Sequence, residues 1–77
     1  STQITFDVPA TEFITLRVYN LLGQDVQTIV NKSMNPGRHT VEWNGTDMLN
    51  NAVASGVYFY ELRGESFISR KKMLLIR

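Results

Sequence analysis

The feature that most constrains this chain is a period of two that keeps returning over short stretches. Ile4, Phe6 and Val8 alternate with Thr5 and Asp7 until Pro9 ends the run, and Ile14, Leu16 and Val18 alternate with Thr15, Arg17 and Tyr19. Val41 and Trp43 share one parity, as do Tyr58, Tyr60 and Leu62, with Phe59 and Glu61 on the other. Successive side chains of a strand point to opposite faces, so each of these stretches buries one face and wets the other. Turn signals fall between them. Gly23 in NLLGQ predicts a hairpin into Asp25 to Val30, Pro36-Gly37 in NKSMNPGR suits a type II turn, and Gly64-Glu65 joins GVYFYELR to SFISRKKMLLIR. The Asn-, Asp- and Gly-rich stretch NGTDMLNNAVASG reads as the longest loop, with Ala52 and Val53 as its one short extended piece. These segments add up to an all-β, seven-stranded antiparallel β-sandwich.

Seventy-seven residues suffice for a single domain, residues 1–77, and leave little room for a deep cleft. A formal net charge of +1 sets up no long-range field toward nucleic acid or an anionic membrane. The absence of cysteine removes disulfides, thiolate nucleophiles and Cys-based zinc sites, so the fold must rest on its apolar core. No apolar run approaches the ~20 residues that span a bilayer, and membrane insertion is not expected. The start, STQITF, lacks the regions of a signal peptide, which fits either a cytosolic chain or one cut from a longer exported precursor.

Reactive chemistry is sparse. His39 is the only histidine and shares parity with Val41 and Trp43, as a packed ring at a strand entrance would. Asp47 in NGTD lacks the acidic alternation and closing Glu of a calcium loop, and its carboxylate is expected to cap the loop's own turns. The seven carboxylates are scattered singly. Asn31-Lys32-Ser33 and Asn44-Gly45-Thr46 match the glycosylation pattern, a short signal that counts only in a eukaryotic secretory pathway. The expectation is a non-enzyme without catalytic residues, cofactor or metal.

Two stretches say more. ASGVYFYEL puts Tyr58 and Tyr60 on the inward face behind a Ser-Gly turn. It resembles the tyrosine corner of immunoglobulin-like sandwiches, in which a tyrosine hydroxyl bonds back to the preceding loop, with Tyr60 where a disulfide cysteine would otherwise sit. SRKKMLLIR breaks the alternation, with Met73 and Leu75 on one face and Leu74 and Ile76 on the other, behind Arg70, Lys71 and Lys72. Such a strand either has its second face covered by a neighbour or shows an apolar strip to another protein.

The segments ITFDVP, ITLRVYNLLGQDVQTIV, NPGRHTVEWNGTD, VASGVYFYELR and RKKMLLIR, in this order, resemble the C-terminal sorting domains of proteins exported by the bacterial type IX secretion system. That family is related to the immunoglobulin-like domain of flagellar hook-capping proteins. Asn44 stands where the family often has Asp, and Asn50 where it has Gly. The Pro- and Asn-rich segment that commonly precedes the first strand is missing, as expected of a chain that begins after the linker to a passenger. The resemblance implies a non-catalytic secretion address that directs an N-terminal passenger domain across the outer membrane to the cell surface. The implied partners are the outer-membrane secretion machinery and a sortase-like protease. Recognition would fall on Lys71, Lys72, Met73, Leu74, Leu75 and Ile76, and Gly37, Trp43, Gly45, Gly56 and Tyr58 match positions that look structural, with Tyr60 beside them in the corner. An open edge strand allows a monomer or an edge-strand dimer. Two other readings are an accessory immunoglobulin-like module that packs on or links a parent enzyme, and a carbohydrate-binding module using Tyr19 and Phe59.

Overall fold

The computed structural model describes residues 1–76; Arg77, the end of the RKKMLLIR segment, lies outside them. The described residues form six strands: β1 (Thr2–Val8), β2 (Glu12–Tyr19), β3 (Asp25–Met34), β4 (Gly37–Trp43), β5 (Gly56–Arg63) and β6 (Ile68–Leu75). β1 and β4 pair as a two-stranded antiparallel sheet, and the other four form an antiparallel sheet in the order β3-β2-β5-β6.

The expected seventh strand does not form among the described residues. Ala52 makes only an isolated bridge to Thr46, because the loop spends its backbone groups on itself. Asp47 N–H donates to Asn51 O (2.9 Å), Asn50 N–H to Asp47 O (3.0 Å) and Val53 N–H to Gly45 O (2.9 Å). Asp47 Oδ1 accepts from the Leu49 and Asn51 amides at 3.0 and 2.9 Å, so the aspartate caps its own turn as the sequence suggests. Asn50 has φ 64°, a conformation that asparagine tolerates better than most residues with a Cβ, which explains how it stands in for glycine.

β3 also differs from expectation, running on to Met34 rather than stopping near Val30, so that Asn35 and Pro36 alone cross to the other sheet. Its pairing with β2 slips twice: Leu16 faces Val30 but Arg17 faces Thr28, and Val18 faces Gln27 but Tyr19 faces Asp25. The bulges absorb Ile29 and Val26, and Ile29 packs against the core together with its neighbour Val30.

The core consists of two adjoining clusters. Ile4, Phe6, Val8, Ile14, Leu16, Val30 and Leu62 form the first, with Tyr60 packed against it. Val18, Val26, Trp43, Tyr58 and Leu75 form the second, and Ile29 and Met73 touch both. Within the second cluster Trp43 and Tyr58 meet edge to face, with centroids 5.0 Å apart and planes at 72°. Their polar tips hold the long loop at both ends: Trp43 Nε1 donates to Thr46 O (3.0 Å) and Tyr58 Oη to Ala54 O (2.6 Å). The latter bond is the corner predicted from ASGVYFY. Gln27 Nε2 adds a bond to Asp47 O at 2.8 Å from β3.

A buried acid fastens the opposite end. Glu12 is 5% exposed, and its Oε1 accepts from the amides of Glu65 (2.7 Å) and Ser66 (3.2 Å) and from Ser66 Oγ (3.2 Å), which ties the β5–β6 turn to β2. Bonds from N–H and O–H groups to an ionised acceptor are among the stronger ones, and this set offsets the cost of burying the carboxylate. Gly64 is required there because a Cβ would collide with Glu12 Oε1 and the Phe67 ring.

Two expected outcomes follow. Trp43→Ala removes the largest fully buried side chain and leaves the loop carbonyl without its donor, so chemical denaturation should show a loss of about 3–5 kcal/mol; a change near zero would refute the placement. Gly64→Ala should cost roughly 1–3 kcal/mol by overpacking against the Glu12 latch. A smaller loss in a Glu12→Ala background than in the wild type would identify the latch as the neighbour that is hit.

Candidate functional site

The residues the sequence singled out in β6 are separated by the sheet. β6 pairs with β5 along one edge, Gly56 facing Leu75, Val57 Leu74, Tyr58 Met73, Phe59 Lys72, Tyr60 Lys71 and Glu61 Arg70. Tyr58 is buried, so its partner Met73 and the alternate residues Lys71 and Leu75 lie on the inner side, while Lys72 and Leu74 lie on the outer. Leu75 is 1% exposed and belongs to the second cluster, whereas Leu74 is 56% and Ile76 71% exposed. The expectation that a neighbour covers the second face is not met: Leu75 and Met73 serve the core, and Leu74 and Ile76 are exposed with nothing covering them among the described residues.

Lys71 and Lys72, adjacent in sequence, face opposite ways. Lys71 is on the inner parity yet exposed, lining a groove between the sheets with Asp7, Tyr60 and Phe67. Lys72 stands beside Phe59 on the outer face. No strand pairs with the other edge of β6 among the described residues; near its end Leu74 O accepts from Thr2 Oγ1 at 3.3 Å.

The structural residues sit where turns and cores need them. Gly37, Gly45 and Gly56 have positive φ values of 126°, 73° and 150°; Gly45, in the left-handed region, turns the chain away two residues after β4 ends at Trp43. Tyr60 is half-buried, less so than Tyr58. His39 stacks on Phe6 with centroids 5.7 Å apart, and its Nε2 lies 2.8 Å from Asn35 O, which makes it a packed ring at the start of β4.

Next to this strip lie Tyr19 and Phe59, the pair that the sequence offered for carbohydrate binding, together with a leucine turn that sequence reasoning missed. Tyr19 faces Phe59 across the β2–β5 pair on the outer side, both half-buried, and with Leu21 of the β2–β3 turn they line a hollow of about 350 Å3. Leu21 and Leu22 are 66% and 83% exposed. The signal was present: two leucines in a turn marked by Gly23 have no core to enter. Glu61 and Arg70 close the hollow. Arg70 Nε donates to Glu61 Oε2 at 2.8 Å and Arg63 to Oε1 at 3.3 Å. The Arg70 bond, aided by Arg63, holds the Glu61 carboxyl below its usual pKa against a burial effect that raises it.

The arrangement holds no nucleophile-base pair and, among the described residues, no cluster of three or more metal-ligating side chains. What it presents instead is a sheet edge unpaired among the described residues and a bare sheet face. The chain matches the family described as FlgD Ig-like domain over residues 1–66, and it belongs to that family. Its fold is similar to the crystal structure of FlgD from P. aeruginosa, with a TM-score of 0.75 and 20% identity, over 95% of this chain and 58% of that one. This chain thus spans little more than half the length of that protein. No curated protein matches it.

Because the folded Glu61 carboxyl titrates below its unfolded value, its pairing contributes stability that is fully present above the unfolded pKa, about 4.3, and is lost as pH falls through the lower folded pKa. Both arginines are more than half exposed, so the pair is worth at most about 1 kcal/mol. Glu61→Gln should lower stability slightly at neutral pH and flatten the fall below about pH 4.3; identical acid limbs for the two proteins would rule the pairing out as a contributor.

Proposed function

We propose that this immunoglobulin-like sandwich is a non-catalytic sorting domain, which directs a passenger protein through the type IX secretion machinery to the bacterial cell surface. The observation that carries the reading is the division of labour at β6: Leu75 anchors the strand in the core while Lys72 and Leu74 stand exposed on an edge strand and Ile76 is exposed just past its end. An edge strand fixed from within and apolar without is suited to pairing with a second protein through its free backbone groups and alternate side chains. The resemblance of the terminal RKKMLLIR to the sorting family's last strand points to the same residues. The family match ends at residue 66, just before this strand begins at Ile68. The partners in this reading are the outer-membrane translocation machinery and a sortase-like protease that trims the domain, and the destination is the cell surface or the medium.

A second reading, an accessory module within a longer chain, draws support from the fold likeness to FlgD, in which a comparable unit occupies 58% of the chain. The carbohydrate-binding reading loses ground, since Tyr19 and Phe59 are both half-buried and offer no exposed stacking pair.

The test fuses the chain behind a reporter in a bacterium that has the type IX system and compares surface with periplasmic reporter. Lys71→Ala with Lys72→Ala, and separately Leu74→Ser, alter exposed side chains and should shift stability by no more than about 0.5 kcal/mol, yet surface display should fall. Equal display for the wild type and both folded variants would remove β6 as the signal. Retention of the wild type inside the cell would favour the accessory module.

A further inference from the structure

The two-stranded sheet packs on one face of the four-stranded sheet and leaves the other bare. Across that outer face the register sets Asp25, Tyr19, Phe59 and Lys72 side by side, then Thr28, Arg17, Glu61 and Arg70 in the next row. Toward the opposite end, Val57 faces Leu74, and Leu21 and Leu22 line a second hollow of about 310 Å3 with Val57. The apolar rows thus continue from β2 to β6, with the leucine turn over them.

That turn is held firmly. Asn20 Oδ1 accepts from the amides of Leu22 (2.9 Å) and Gln24 (3.0 Å), Asn20 O accepts from Gly23 N–H (3.0 Å), and Asn20 Nδ2 donates to Gln24 Oε1 (2.8 Å). A turn so fastened presents two leucines in a fixed position, with little ordering entropy left to lose on contact.

The charges say what fits. The face carries Arg17, Arg63, Arg70 and Lys72 against Asp25 and Glu61, and Glu61 is already engaged by Arg63 and Arg70. Lys72, beside Phe59, and Arg17, one row from Tyr19, have no ion pair among the described residues. A second copy laid on this face would bring two cationic surfaces together, whereas an acidic partner meets complementary charge. Side chains two apart in an extended segment are about 7 Å apart, the same step that separates the Tyr19–Phe59 row from the Val57–Leu74 row.

We infer that the outer face of the four-stranded sheet, from Tyr19 and Phe59 to Leu21, Val57 and Leu74, is a docking surface for an extended acidic protein segment with alternating apolar side chains. The surface adjoins the free edge of β6 and shares Leu74 and Lys72 with it, but its centre lies on β2 and β5, and the inference stands whether or not the domain is an export address.

Titration of the labelled chain with a blocked Asp-Leu-Asp-Phe-Asp-Leu-Asp peptide, followed by NMR, should give saturable amide shifts at Tyr19, Leu21, Val57, Phe59 and Leu74. Arg17→Glu with Lys72→Glu, two exposed charges, should weaken binding by about three- to tenfold, and Leu21→Ser, at an exposed turn position, should weaken it without altering the melt. Either variant alone suffices should the other fail to fold. The same peptide with Lys for each Asp should not bind at these residues. Equal binding of the two peptides, or no saturable shift on this face, would overturn the proposal. Concentration-dependent self-association that shifts the same residues would give the face to a second copy instead.

Discussion

The edge-to-face contact of Trp43 with Tyr58 is the joint on which the rest of this small protein depends. Trp43 comes from the two-stranded sheet and Tyr58 from the four-stranded one, so the pair fixes how the sheets meet. Each ring also spends its one polar group on the loop between β4 and β5, through Thr46 O and Ala54 O. A loop that would otherwise have to be held by a strand of its own is therefore held by two side chains of the core. This makes the missing seventh strand intelligible, since Ala52 has a single bridge partner and needs no more.

The unequal size of the sheets decides what is exposed. Strands lie about 4.8 Å apart, so two of them cannot cover four. Inner-facing positions on the outlying strands are left at the rim: Lys71, opposite Tyr60, and Lys32, opposite Ile14, are both exposed. Both are lysines, whose charged heads need water. Among the described residues the same geometry leaves the outer edge of β6 without a partner strand and the outer face of its sheet bare. The edge, the Leu74–Ile76 strip and the Tyr19–Phe59 rows with their leucine turn converge on one side of the molecule, and all are surfaces rather than cavities with chemistry in them.

The two ends are secured by different means, which bears on how the surfaces stay in place. Around Trp43 the fastening is aromatic, with hydrogen bonds at its margin; around Glu12 it is a carboxylate shared by the Glu65 and Ser66 amides. The first positions the loop next to β5, and the second fixes the hairpin that carries β6 to the edge. Neither touches the outer face, so that face can vary in sequence with little cost to the fold.

The sequence by itself determined the all-β class, most strand positions, the Gly23 and Gly64 hairpins, the Tyr58 corner and the self-capping of Asp47, because each follows from alternation or turn chemistry within a few neighbours. It also marked β6 as a strand with two apolar faces. What only the tertiary structure decided was which face each residue took and what lay across from it. Lys71 takes the inner side and Lys72 the outer because the β5–β6 register sets Lys71 beside Tyr60 and Lys72 beside Phe59. Glu12 is buried only because the Glu65 and Ser66 amides, more than fifty residues away along the chain, arrive to bond it. Leu21 joins Phe59 because β2 and β5 are neighbours in the sheet. Alternation is a local property, whereas register and sheet order are set by the packing of segments far apart, and no window along the chain contains both partners.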